Sequence, residues 1–123
     1  MILHILLVGA GGFLGSVLRF LLHMLINRHV SNPFPFGTFA VNIAGSLLIG
    51  ILYGLWAREY MDDAASRLWI TGFCGGFTTF STFSNDIFTL TNHGQMATVI
   101  LYAGSSVVLG FLAVYLGMSL VKA

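Results

Sequence analysis

The run Gly72-Phe-Cys-Gly-Gly-Phe-Thr-Thr-Phe-Ser-Thr-Phe-Ser-Asn-Asp86 holds the densest set of chemically capable side chains in the sequence, because hydroxyls and a glycine pair interrupt an apolar stretch. Hydroxyls donate and accept hydrogen bonds, and a phenylalanine ring has a negative face and a positive edge. A ring turned edge-on therefore offers an anion partial positive charge without a proton or a full charge. Phe77, Phe80 and Phe83 recur every third residue, so on a helix they lie near one face, drifting by about 60° at each step. Alternating with Thr78, Ser81 and Thr82, they suit a lining that holds anions weakly enough to release them, as conduction requires. Packing against lipid or core is the other use of such rings. Gly75 and Gly76 favour a break that frees carbonyl oxygens, and broken helices at membrane depth can coordinate ions. In an unbroken helix the Thr and Ser hydroxyls would instead bond back to carbonyls four residues earlier.

Other polar groups stand singly inside apolar stretches. Arg19 is the one basic residue well inside a span; it either snorkels to the interface or edges an aqueous vestibule, where a fixed positive charge concentrates anions. Thr38 and Asn42 share a helix face, as do Tyr102 and Ser106. Such groups hydrogen-bond a dehydrating ion or glue helices together, and spacing does not choose between the two. Gly9-Ala-Gly-Gly-Phe-Leu-Gly15 lacks the spacing of a dinucleotide loop. His4, His23, His29 and His93 never fall at i and i+4, and the single cysteine, Cys74, permits no intrachain disulfide. The serines of the third span have no histidine in their own span to activate them. An enzyme is not expected.

These residues must be carried by membrane helices. Of 123 residues, 57% are hydrophobic and 7% charged, against about 25% charged in soluble domains. A net charge of +1 from five basic and four acidic residues offers no surface for a nucleic-acid backbone. The apolar stretches predict an all-α membrane protein, a single unit over 1–123, with spans at about 2–26, 37–57, 68–90 and 96–121. The first lacks a basic leader and a cleavage site, and is expected to remain in the mature chain. Pro33 and Pro35 predict a turn before the second span, and residues 58–67 form a polar loop. Both termini then lie on one side, with Arg58, Arg67 and Lys122 on one face of the bilayer and Arg28 on the other. So weak a bias suits insertion in either orientation and an antiparallel pair. Small residues four apart, such as Gly11 with Gly15, Ser46 with Gly50 and Gly72 with Gly76, suit either that pairing or packing within one bundle.

Three motifs together resemble the Fluc (CrcB) family of bacterial fluoride channels: Gly11-Gly12-x-x-Gly15-x-x-x-Arg19, Gly37-Thr38-x-x-x-Asn42-x-x-Gly45-Ser46, and Gly75-Gly76-Phe-Thr78-Thr79-Phe80-Ser81-Thr82-Phe83-Ser84. The resemblance covers essentially the whole chain. It implies an antiparallel, dual-topology homodimer in the inner membrane, the third helix of each subunit broken at the membrane centre, with two pores carrying fluoride out of the cell. It also implies that the edges of Phe80 and Phe83 line the path, beside Asn42, Ser81, Thr82 and Thr38, with Tyr102 and Ser106 opening a polar track. Gly110 and Val114, further along that face, carry no hydroxyl and shorten the track. The backbone carbonyls of Gly75 and Thr78 correspond to ligands of a central structural sodium ion, and Arg19 to a vestibule arginine. Asp86 receives no role. Passive export agrees with the chemistry: HF enters as a neutral acid and dissociates inside, and a negative-inside potential drives the anion outward with about 2.3 kcal/mol per 100 mV. A small multidrug exporter, the nearest rival, relies on a glutamate in the first span, where this chain has Arg19 and no glutamate. A non-conducting assembly subunit is the third reading.

Overall fold

The computed structural model describes residues 1–122, which form helices and short connections with no strand among them. Three helices are long and apolar enough to cross a membrane: α1 (Ile2–His29), α2 (Phe36–Ala57) and α6 (Met96–Lys122). Each is a proline-free apolar run, and in hydrocarbon a helix satisfies its backbone polar groups internally. Arg28 and His29 close α1, where cations complement the helix dipole. Val30 is extended, and α2 starts directly after Pro35.

The third expected span differs. Asp62 caps a short helix, α3 (Asp63–Ser66), by accepting the Ala65 N–H at 2.8 Å. A π-helical stretch follows over Arg67–Cys74, then one turn of α-helix, α4 (Gly75–Phe77). Thr78 (φ −90°, ψ 157°) and Thr79 (φ −148°, ψ 117°) are extended, and α5 (Phe80–Asn92) resumes the helix. No single piece has spanning length: the 13 residues of α5 reach about 20 Å, against a hydrocarbon core of about 30 Å. A tight turn through Gly94 (φ +71°) leads into α6.

Two close helix contacts organise the bundle. α2 runs along α6, while α1 lies against the π-helical stretch and α4. In the first contact a Cβ on Gly50 would collide with the Val114 carbonyl; in the second a Cβ on Gly15 would collide with that of Phe73. The small residues of the sequence thus close contacts inside the chain. Cys74 packs in a buried apolar cluster with Leu52 and Ile70, and a second cluster gathers Leu90, Val99 and Tyr102.

Candidate functional site

The two extended residues create the site. Their helix has lost its hydrogen-bond ladder, and side chains from elsewhere replace it. Asn42 on α2 clamps Thr79: its Nδ2 donates to the Thr79 carbonyl at 3.1 Å, and its Oδ1 accepts the Thr79 N–H at 2.9 Å. The Thr79 hydroxyl accepts the Thr82 N–H at 3.2 Å, capping α5, and donates to the Thr82 hydroxyl at 3.1 Å. Above the break Thr78 Oγ1 donates to the Cys74 carbonyl at 2.8 Å, and Arg19 Nε donates to the Gly76 carbonyl at 2.9 Å. The consequence is specific. The Gly75 and Thr78 carbonyls lose their helical i+4 donors, because the Thr79 N–H is turned to Asn42 and the Thr82 N–H to the Thr79 hydroxyl.

On one side of the break lies a groove of about 270 Å³ whose lining includes Asn42, Ser46, Thr78, Thr79, Phe80 and Phe83. Gly45 leaves room there for the Thr78 methyl group. The Phe80 and Phe83 rings lie 6.0 Å apart, tilted by 43°. Phe80 is 79% exposed, so this chain alone leaves its ring bare. Phe83 reaches inward to Tyr102, ring to ring at 5.0 Å.

Tyr102 and Thr38 are completely buried, both 0% exposed. Phe34 of the proline-containing loop covers Tyr102 edge-on at 5.4 Å. The Tyr102 hydroxyl donates to Asp86 Oδ2 at 2.9 Å, so the carboxylate on α5 is engaged by α6. Thr38 meets His23 Nε2 at 3.2 Å. One turn beyond Tyr102, the Ser106 hydroxyl is buried with no partner, alone among the described side chains in this respect. An unpartnered buried hydroxyl is costly and retains its full capacity to bind.

The other side of the break opens into a cleft of about 590 Å³ between α1 and the start of α5, lined in part by Arg19, His23, Asn27, Arg28, Thr79 and Thr82. Arg19 uses Nε on Gly76, and the rest of its guanidinium charge faces this cleft. Two fixed positive charges, Arg19 and Arg28, thus line the same cleft as the Thr79 and Thr82 side chains.

A model of the family described as CrcB-like protein, Camphor Resistance (CrcB), matches residues 6–118. The chain belongs to the CrcB family. Its relatives include the protein of Phocaeicola vulgatus named fluoride-specific ion channel FluC, 47% identical over 93% of this chain and 94% of that one. The protein of the same name in Chlorobium luteolum is 47% identical over 98% of this chain and 93% of its own, and that of Nitrobacter winogradskyi is 45% identical over 96% and 94%. With three apolar helices of spanning length, this CrcB chain is a multi-pass bacterial membrane protein.

Within the CrcB chain most of the expected site residues fall into three sets, with Ser81 and Gly75 outside them. Asn42, Thr78, Phe80 and Phe83 share the groove. Arg19 and Thr82 face the cleft across the break. Thr38 and Tyr102 are sealed inside, with Ser106 one turn further along α6. Ser81 is exposed, its hydroxyl 3.3 Å from that of Thr79, and Gly75 faces open space. Thr79, His23 and Asn27 were not among the expected residues. Thr79 had a readable signal, since threonine before a helix is a favoured N-cap. His23 had only its spacing, four residues after Arg19 and four before Asn27.

Proposed function

We propose that this CrcB member is a fluoride-selective channel, not an enzyme, through which F⁻ leaves the cytoplasm passively across the inner membrane and which thereby confers fluoride resistance. What carries this reading is the match over 93% and 98% of the chain to relatives named fluoride-specific ion channels. In this reading residues 63–92 make the third of four crossings, with the extended pair Thr78-Thr79 at the membrane centre, and 1–123 is one four-helix unit.

The geometry supports a path that begins in the Arg19 cleft, where fixed charge raises the local anion concentration. Fluoride is strongly hydrated, and the Thr82, Ser81 and Asn42 groups replace water as it enters. The edges of Phe80 and Phe83 then hold it weakly, and the free Ser106 hydroxyl, one turn beyond Tyr102 on α6, receives it. Gly110 and Val114 offer no continuation.

The bare Phe80 ring and the open side of its groove fit closure by a second copy. The weak bias of flanking positive charge, Arg58, Arg67 and Lys122 against Arg28, suits an antiparallel homodimer with two pores, to which each copy contributes. The released carbonyls of Gly75 and Thr78 are hard oxygen donors of the kind that hold Na⁺ at broken helices. Two from each copy would complete a structural site at the dimer centre.

Fluoride efflux from liposomes holding the purified protein, repeated with chloride, tests the assignment. Rapid fluoride release, negligible chloride release and loss of flux in Phe80→Ile and Phe83→Ile are expected. Absence of fluoride flux from folded protein overturns it.

A further inference from the structure

The Arg19 cleft has a counterpart at the other end of α1. There a mostly apolar groove of about 320 Å³ lies between α1 and the π-helical stretch, lined by Met1, His4, Ile5, Val8, Arg67 and Thr71. Eighteen residues make about five turns of a helix, so Met1 shares a face of α1 with Arg19, and Ile5 shares one with His23. Groove and cleft therefore open along one flank of α1, the groove toward its start and the cleft toward its end. Between them α1 touches the segment just before the break: a Cβ on Gly76 would stand 2.6 Å from the Gly12 carbonyl and 3.0 Å from the Ser16 hydroxyl.

The edge of the groove away from α1 is polar. Arg67 and Thr71 are exposed, and Gly75, one turn further on, faces open space. This edge leads straight to the released carbonyls of Gly75 and Thr78. The groove stands beside residues 1–8 of α1 and the contact with Gly76 beside residues 12–16, so Arg67 lies about 15 Å to one side of the break. By the same rise per residue, His23 and Asn27 lie about 15 Å to the other side. A two-fold axis in the membrane plane, through the released carbonyls and with the exposed edges facing, exchanges these two levels. It lays the groove of one copy over the cleft of the other.

We propose that the Arg19 cleft is one half of a composite anion entrance, whose other wall is the Arg67–Thr71 edge of the partner subunit. The inference rests on the antiparallel-pair reading and names what each copy contributes. One mouth then gathers Arg19 and Arg28 from one copy and the partner's Arg67, with threonine hydroxyls from both. Among the described residues neither lining includes a carboxylate. The same axis builds an identical mouth on the opposite face of the membrane. A unit charge about 10 Å from an entering anion raises its local concentration about twofold in water at low salt.

Cross-linking tests the placement. In a Cys74→Ser background, Asn27→Cys and Arg67→Cys stand near opposite ends of α1, about 35 Å apart, too far for a short bismaleimide to bridge within one chain. In liposomes the double variant should give a covalent dimer on a denaturing gel, and neither single variant should. Dimers from Arg67→Cys alone would set two Arg67 positions together, the mark of a parallel pair, and would overturn the proposal. So would the absence of a dimer from monodisperse double variant.

Fluoride efflux tests the charge. Arg67→Gln should cut the initial rate roughly twofold at an ionic strength of about 10 mM and have no effect at about 1 M, where the screening length is about 3 Å. Arg67→Lys, which keeps the charge, should restore the rate. A loss equal at both salt levels, or none at low salt, would overturn the part given to Arg67. Monodisperse protein without fluoride flux would overturn the channel reading instead, while the cross-link would still decide the pairing.

Discussion

The α2–α6 pair and the pair formed by α1 with residues 67–79 are closed by the same device and serve different ends. In both, a glycine on one helix lies against a carbonyl of the other, Gly50 on Val114 and Gly15 on Phe73. Yet α2 and α6 are uninterrupted helices that satisfy their own backbones. The other pair passes through a wide π-helical stretch and two extended residues, and relies on Arg19, Asn42 and Thr79 to replace what the ladder has lost. Glycine contacts thus determine where helices sit. Departure from the helix determines where polar atoms become available.

The sharpest way to break this contrast is Asn42→Ala. It strips both partners from the Thr79 main chain, and each orphaned group costs about 1–3 kcal/mol. Fluoride flux should fall by about tenfold or more, and the detergent-solubilised protein should melt at lower temperature. Unchanged flux with unchanged melting would show that the break holds its shape without the clamp.

A middle-sized effect separates the two contacts. Gly50→Ala and Gly15→Ala each force a methyl group against backbone and should cost about 1–3 kcal/mol, read as earlier loss of the monodisperse species on heating. Their fluxes should diverge: for equal amounts of folded protein, Gly50→Ala conducts nearly as before, whereas Gly15→Ala shifts the strand of residues bearing the break and conducts less. Equal fluxes in the two variants would remove the distinction drawn between the regions.

Smallest is Thr79→Val, which deletes the α5 cap and should cost about 1 kcal/mol. Because Val keeps the main-chain bonds to Asn42, its loss of flux should be well below that of Asn42→Ala in the same efflux assay.

The long apolar helices were legible because length and hydropathy alone determine them: the expected 37–57 is observed as Phe36–Ala57, and 96–121 as Met96–Lys122. The glycine pair and its hydroxyl neighbours marked the third segment as unusual, but not its π-helical part. Nothing in Arg67-Leu-Trp-Ile-Thr-Gly-Phe-Cys74 differs by composition from an α-helix, and the widening shows only once α1 is packed against it. Asn42 was singled out by its rarity in a span, while its partner Thr79 was not, since the bond joins residues 37 positions apart. Asp86 was left without a role for the same reason: its donor, Tyr102, comes from another helix, and no local pattern connects them. The i and i+4 spacing of the histidines asks about metal ligation and says nothing about hydrogen bonds, so the contacts of His23 with Thr38 and Asn27 were not legible.

The oxygens released at Gly75 and Thr78 belong to the main chain. No codon change deletes a carbonyl, so a mutational scan of these two positions would score tolerance or steric damage and never the loss of the atom itself. The residues whose variants report on those oxygens are the ones that turn the competing N–H groups away, Asn42 and Thr79. In a genetic screen, the positions that hold the backbone open would carry the phenotype of a site whose own atoms are beyond the reach of substitution.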